Sequence, residues 1–289
     1  MGDDIKMDTG TLALDGQAAF VTGGGGGIGR AIAVCLAAHG ADVAVIDVIP
    51  ERCEEVAGQI RALGRRALAI PGNVMEADQV RAAVDAAAGE FGRLDVLVNN
   101  AGGVTRRKFT ELVPKNWQRH IDLNLISNLA ATSQAIPHLI AGGRGGSIIN
   151  VTSIEASRAA PGYAVYAACK AGINNLTRTL AVELSDHNIR VNAIAPDYTR
   201  THGTSGQFTG PATDLPPMSA EQAEIIRKRI PLQRPGIDAE CGHLAVFLAS
   251  RMSSYITGTV IPIDGGTWGS GGWVRDRTGD WVLPPAAQP

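Results

Sequence analysis

Tyr166 and Lys170 stand four apart in Tyr166-Ala-Ala-Cys-Lys170, and Ser153 closes the apolar run Ser147-Ile-Ile-Asn-Val-Thr-Ser153. Residues four apart in a helix share a face. An ammonium held beside a phenol favours phenolate and lowers a pKa that is ordinarily about 10, so such a tyrosine can exchange protons near neutral pH. A hydroxyl at the end of a preceding strand can hold a substrate oxygen next to that phenol, which is the arrangement general acid/base chemistry at an alcohol or carbonyl requires. Taken alone, the pair also reads as plain helix surface, so its meaning rests on the elements that position it.

Those elements alternate. Short β-branched runs at residues 18–22, 42–47, 67–70, 94–98, 147–151, 190–194 and 260–263 read as strands. Alanine-rich amphipathic stretches at 30–38, 51–63, 77–91, 117–140 and 163–185 read as helices. Strand-helix alternation of this kind predicts right-handed crossovers and an α/β fold of one domain, with a doubly wound, seven-stranded parallel sheet and helices on both faces. Residues 1–13 form an N-terminal extension and 14–266 the main domain. A Gly/Thr/Pro-rich lid spans about 201–222, and a tail follows at 267–289 with Trp268, Trp273 and Trp281. Exposed indoles are costly, so the tail is expected to dock.

Composition removes several classes of function. The chain has 289 residues, 45% of them hydrophobic, and a formal charge of −2, which leaves no basic field for gripping nucleic acid. Arg106-Arg107-Lys108 is short enough to be a solvated loop. The opening residues Met1-Gly-Asp-Asp-Ile-Lys carry charge in place of an apolar core, and no run of about eighteen apolar residues could span a bilayer. A cytoplasmic protein that does not engage a membrane is expected. Four scattered cysteines and six scattered histidines give neither a disulfide framework nor a zinc pattern, so a metal-free site is expected.

The first strand runs into Thr22-Gly-Gly-Gly-Gly-Gly-Ile-Gly29. Glycines let backbone approach a pyrophosphate closely, and the helix that follows offers unpaired N–H groups at its start. Asp47 closes the second strand, where a dinucleotide fold places the acid that accepts from the adenosine ribose hydroxyls. No basic residue adjoins Asp47 in sequence, since Val48 and Ile49 follow it, and none lies within the glycine loop. A 2′-phosphate would meet only the carboxylate, so NAD is expected over NADP.

With these motifs together the chain resembles a short-chain dehydrogenase/reductase of the NAD-preferring kind. Thr22-Gly23-x-x-x-Gly27-x-Gly29, Asn99-Asn-Ala-Gly102, Asp264-Gly265-Gly266 and the set Asn124, Ser153, Tyr166 and Lys170 carry the resemblance, in order, from about Leu14 to Gly266. It implies a Rossmann-type fold and an oxidoreductase that interconverts a secondary alcohol and a ketone. Tyr166 would be the general acid/base. Ser153 would orient the substrate oxygen, while Lys170 would bind the nicotinamide ribose and lower the tyrosine pKa. Asn124 would position a water, although a polar residue inside a helix is also an ordinary packing or capping residue. The resemblance further implies cofactor contacts at Gly23, Gly27, Ile28, Gly29, Asp47, Asn73, Val74, Asn100, Ala101, Gly102, Pro196, Thr199 and Thr201, besides Tyr166 and Lys170.

Departures from the family's pattern sit at Asn73, where an aspartate is usual, and at Asp197, where glycine is common. Gly103, Glu155, Tyr163 and Tyr198 are candidates for the substrate wall, and Phe208, Leu215 and Met218 in or beside the lid suggest an apolar or amphipathic alcohol. A 3-oxoacyl-thioester reductase and a non-catalytic NAD-binding redox sensor remain alternatives. The long helices at 117–140 and 163–185 are alanine-rich on more than one face, which suggests a homo-oligomer, a tetramer ahead of a dimer.

Overall fold

The computed structural model describes residues 12–201, 215 and 217–283. The chain begins with β1 (Ala18–Thr22), α1 (Gly27–Ala38), β2 (Asp42–Asp47), α2 (Pro50–Ala62), β3 (Ala67–Pro71), α3 (Ala77–Phe91) and β4 (Val96–Asn99). It continues through α4 (Pro114–Ile121), α5 (Ser127–Ala141), β5 (Gly146–Val151), α6 (Ala164–Glu183) and β6 (Ile189–Pro196). The remaining elements are β7 (Thr199–Arg200), α7 (Ala220–Arg229), β8 (Gly236–Ile237), α8 (Asp238–Ala249), β9 (Val260–Ile263), β10 (Val274–Arg275) and β11 (Trp281–Val282).

Seven strands pair in the order β3-β2-β1-β4-β5-β6-β9, all in parallel. The inner strands β2, β1, β4, β5 and β6 bury both faces, as crossover helices demand, while the edge strands β3 and β9 stay partly exposed. Along β1, Ala19 and Val21 join Ile32, Leu36, Val56 and Ala245 in a core with α1, α2 and α8. Ala18 and Phe20 point the other way, into a core with Val84, Ala131, Leu139 and Ala181 from α3, α5 and α6. This period-two alternation makes a single-domain Rossmann-type sandwich of three layers. Chain direction reverses its spread at β1, whose neighbours are β2 and β4, so the loops after β1 and β4 open a crevice at the carboxyl edge of the sheet.

The helix expected over 117–140 is longer and is interrupted. It starts at Pro114, a residue suited to a first turn because it lacks an N–H, and the Val113 N–H donates to Asn116 Oδ1 at 3.2 Å. A single π-turn, Asp122–Ile126, separates α4 from α5. Helices α7 and α8 were not among the alanine-rich stretches that the sequence made conspicuous. Most of the expected lid, including Phe208, lies outside the described residues.

The tail forms the antiparallel hairpin β10-β11, with the Arg275 guanidinium 4.4 Å from the centre of the Trp281 ring. Asp276 Oδ1 closes its turn by accepting from the N–H groups of Thr278, Gly279 and Asp280. Strand β10 packs on α7 of the same chain. Among the described residues no helix is long and apolar enough to cross a membrane. Within the same residues, no group of three or more His, Cys, Asp or Glu gathers as metal ligands would.

Candidate active site

Helix α6 begins at Ala164, so Tyr166 falls in its first turn and Lys170 one turn later, on the same face. The Lys170 ammonium is buried, donates to Val151 O at 2.8 Å, and lies 5.8 Å from the centre of the Tyr166 ring. Burial pushes the lysine pKa down from 10.5 to about 8. The phenol moves opposite to the lowering expected from its lysine neighbour. Burial raises its pKa, hydrogen bonding with Ser153 pulls it down, and the charges of Glu155 and Tyr163 add to the rise. Desolvation outweighs the rest because charged phenolate loses most when water is excluded.

Ser153 follows β5 in extended conformation. Its Oγ accepts from the Glu155 N–H at 3.2 Å and lies 3.4 Å from Pro196 O at the end of β6. The hydroxyl is thus fixed between two strand ends, facing the phenol.

Asn124 sits in the π-turn, buried. Its Oδ1 accepts from the Gly103 N–H at 3.0 Å, and its Nδ2 donates to Gly103 O and to His120 O, each at 2.9 Å. Inserting one residue into a helix turn re-aims a side chain, and such turns gather at functional sites. Here the amide clamps the loop after β4 in both senses, so Asn124 does what a packing residue does and also borders Lys170. An ideal Cβ on Gly102 would stand 2.9 Å from Asn124 Oδ1 and 3.1 Å from Lys170 Nζ.

Beneath these groups lies a buried polar lattice that sequence reasoning passed over. Asn150 Oδ1 accepts from Asn99 Nδ2 at 2.9 Å and from Asn128 Nδ2 at 3.0 Å, while Asn150 Nδ2 donates to Thr177 Oγ1 at 2.9 Å. It ties β4 and β5 to the helices carrying Asn124 and Lys170. The available signal was an asparagine inside the apolar run Ser147–Val151, since a buried amide needs partners.

At the other end, Asp47 closes β2 and lies under the glycine loop. Its Oδ2 accepts from the Gly25 N–H at 3.1 Å and its Oδ1 from the Ile49 N–H at 3.2 Å. A Cβ on Gly25 would come within 2.9 Å of the Asp47 side chain, and one on Gly29 would stand 2.1 Å from Gly23 O, so neither position admits a side chain. Gly23 and Gly27 hold positive φ, 62° and 50°. Asn100 joins the loop to β4 by donating from Nδ2 to the carbonyls of Thr22 and Gly23, both at 3.0 Å, and Thr22 Oγ1 accepts from the N–H groups of Asn100 and Ala101.

These residues fit a nicotinamide dinucleotide. Helix α1 has no acid in its first turn and, among the described residues, no side-chain cap bond at Gly26, which suits its leading N–H groups to an anion. Ile28 packs on the core, and Thr201 lies against Gly27, its Cβ 3.1 Å from where a Gly27 Cβ would be. Thr199 and Pro196 are buried at the end of the sheet. Val74 is a core side chain, which leaves only its backbone for a ligand. Asn73 Oδ1 accepts from the Met75 N–H at 3.1 Å, so one of its lone pairs is already used.

One expectation needs correcting. Sequence adjacency put no cation near Asp47, yet Arg52 of α2 folds back so that Nη1 lies 3.4 Å from an ideal Cβ on Gly26. One helical turn brings it to the loop.

The wall beside Ser153 is charged. Arg158 holds Glu155 in a two-point pair, Nη2 to Oε1 at 2.7 Å and Nε to Oε2 at 3.2 Å. Asp197 Oδ1 faces Arg158 Nη2 at 3.7 Å and Arg229 Nη2 at 3.8 Å. Arg158 was missed, its three-residue offset from Glu155 being the sole sequence signal. Gly103 is bonded to Asn124, and Tyr163 stands near enough to Tyr166 to act on its ionisation. Tyr198 lines a cavity of about 560 Å³ with Pro231, Leu232 and Asp264.

Known proteins resemble this chain in sequence and fold. The family model described as enoyl-(acyl carrier protein) reductase matches residues 23–267. The 2-dehydro-3-deoxy-D-gluconate 5-dehydrogenase of Escherichia coli K12 is 37% identical over 255 residues, 88% of this chain and 96% of that protein. The 3-oxoacyl-(acyl-carrier-protein) reductase FabG of Thermotoga maritima is 36% identical, covering 88% of this chain and 99% of its own length. Carveol dehydrogenase from Mycobacterium avium, solved with NAD, superposes with a TM-score of 0.80 at 33% identity over 88% of this chain and 98% of that one. With the glycine cradle, the tyrosine-lysine pair and these likenesses in agreement, the chain belongs to the short-chain dehydrogenase/reductase family.

Proposed function

We propose that the protein interconverts a secondary alcohol and a ketone with NAD(H). The observation that carries this is the convergence of Ser153, Tyr166 and Lys170 at the sheet edge that also bears the glycine cradle and Asp47. A bound nicotinamide would supply the hydride or take it up. In reduction, Tyr166 gives its phenolic proton to the forming alkoxide, and in oxidation its phenolate removes the hydroxyl proton. Ser153 Oγ holds the substrate oxygen in line. Lys170 holds the nicotinamide ribose, and its ammonium favours phenolate when Tyr166 ionises. Asn124 fixes the Gly103 loop and with it the floor beside Lys170.

Asp47 supports NAD through ribose hydroxyls, as does the NAD complex of carveol dehydrogenase. Arg52 favours a second reading, in which the loop takes a 2′-phosphate and the activity is 3-oxoacyl-thioester reduction, as in the FabG relative. We keep the first because the Asp47 carboxylate meets the loop directly. The charged wall of Glu155, Arg158 and Asp197 favours an amphipathic substrate over a wholly apolar one. Residues 14–266 would be the catalytic unit. The exposed apolar side chains Ile126, Leu129 and Val182 on the long helices fit a homotetramer.

Tyr166→Phe tests the chemistry. Turnover should fall at least a thousandfold, with NADH still bound, as read by fluorescence titration. A fully active variant would refute the assignment, and loss of Tyr166 activity without loss of cofactor also separates an enzyme from a sensor.

A further inference from the structure

The Asp197 side chain is only 9% exposed, yet its two oxygens are treated differently. Oδ1 faces the guanidinium groups of Arg158 and Arg229 at 3.7 and 3.8 Å, which neutralises charge but is too long for a hydrogen bond. Oδ2 is sealed from solvent and, among the described residues, meets no donor. The backbone offers no relief: the Asp197 N–H donates to Ile263 O, and Thr199 Oγ1 faces Asp197 O at 3.5 Å and not the carboxylate. A buried acceptor without a donor is costly, all the more when ionised.

Its position says which donor could reach it. Asp197 directly follows Pro196, whose carbonyl meets Ser153 Oγ at 3.4 Å. Arg158, facing Asp197, is held by Glu155, whose own N–H donates to the same Ser153 Oγ. The carboxylate is therefore built into the wall that holds the substrate oxygen. A glycine there would place no charge in that wall.

We propose that Asp197 is a ligand-recognition residue, its Oδ2 accepting a hydrogen bond from a neutral N–H or O–H donor carried in either by the nicotinamide carboxamide or by a second hydroxyl of the substrate. Arg158 and Arg229 already oppose the charge of the Asp197 carboxylate through Oδ1, so Oδ2 lacks a hydrogen-bond donor and an uncharged one supplies it. The proposal rests on the oxidoreductase reading above and deepens it.

The test uses the full chain with Asp197→Gly and Asp197→Asn, the second keeping one acceptor oxygen. If the carboxamide is the donor, Asp197→Gly weakens NADH binding about ten- to a hundredfold, since hydrogen bonds to charged groups are of that strength. Asp197→Asn then recovers part of the loss. The 3-acetylpyridine analogue, which lacks the carboxamide N–H, binds wild type and variant alike. If the substrate is the donor, NADH binding stays unchanged, and the preference for butane-2,3-diol over butan-2-ol falls by a similar factor, mainly through KM. A purely structural role would not distinguish NADH from its analogue or the diol from the alcohol. Asp197→Gly with cofactor affinity and diol preference both intact overturns the proposal, and should that variant unfold, the same result in Asp197→Asn does so. Wild-type protein that binds neither NADH nor NADPH would overturn the underlying reading instead.

Discussion

Gly102 stands so close to Lys170 that its Cα leaves no room for a methyl group: an ideal Cβ would lie 3.1 Å from Nζ, and 2.9 Å from Asn124 Oδ1. Neither neighbour can yield cheaply, because Lys170 is tied to Val151 O and Asn124 to both polar groups of the Gly103 backbone. Gly102→Ala should therefore lower kcat by about ten- to a hundredfold through displaced groups. The melting temperature should fall by a few degrees at most. Steady-state kinetics alongside a thermal melt would check this, and unchanged kcat would mean that the ammonium has slack.

The raised Tyr166 pKa sets the direction of the pH response. Burial keeps the phenol protonated over more of the pH range, so the proton-donating form prevails at neutral pH and phenolate gains only as pH climbs. Reduction should be favoured at the neutral end and oxidation should rise towards pH 9. Profiles of kcat/KM measured in both directions would show it, and an oxidation profile flat from pH 6 to 9 would contradict it.

Lys170 gives a stability test with a definite sign. Its pKa falls from 10.5 in the unfolded chain to about 8 in the fold, so between these values the unfolded state binds more protons. Stability contributed by this site then rises with pH across that window, the burden of a buried ammonium being full below pH 8 and relieved above 10.5. Lys170→Met removes the dependence. From pH 8 to 10, urea midpoints of wild type should gain on the variant by the equivalent of about 2 to 3 kcal/mol. A constant gap would show that the lysine titrates normally.

Cofactor choice should shift in two steps. Asp47→Ala loses an acceptor for ribose hydroxyls and removes a repulsion from a 2′-phosphate, so NADH should bind roughly tenfold more weakly and NADPH no worse. Adding Arg52→Ala should then weaken NADPH alone. Fluorescence titrations of both dinucleotides with the single and double variants decide it, and tighter NADPH than NADH binding by wild type would reverse the assignment.

Much of the scaffold was legible from local pattern. β1, β2, β9 and α3 fall on the residues that hydrophobic runs and alanine periodicity marked, and for β1 and β2 the reason is that a strand buried on both faces cannot hide its composition. The glycine loop and Asp47 were legible because spacing alone brings a strand end to the next loop. Arg52 and Arg158 were not. Arg52 comes to the glycine loop, and Arg158 to Asp197, only once separate elements pack together, and the sequence around them reads as helix surface or loop. The upward shift of Tyr166 escaped as well, since a neighbouring charge is visible in sequence and depth of burial is not.

The π-turn at Asp122–Ile126 carries one further consequence. An α-helix advances about 100° per residue, so one surplus residue acts as a phase slip between α4 and α5. Upstream of it the helix keeps the phase that suits α6, and downstream the phase that suits α3. Deleting one residue of the turn other than Asn124 would bring the two halves back into step and swing Asn124 relative to Gly103 by about a quarter of a revolution. The length of this segment is therefore under tighter constraint than its composition: a substitution can be absorbed where a one-residue deletion cannot.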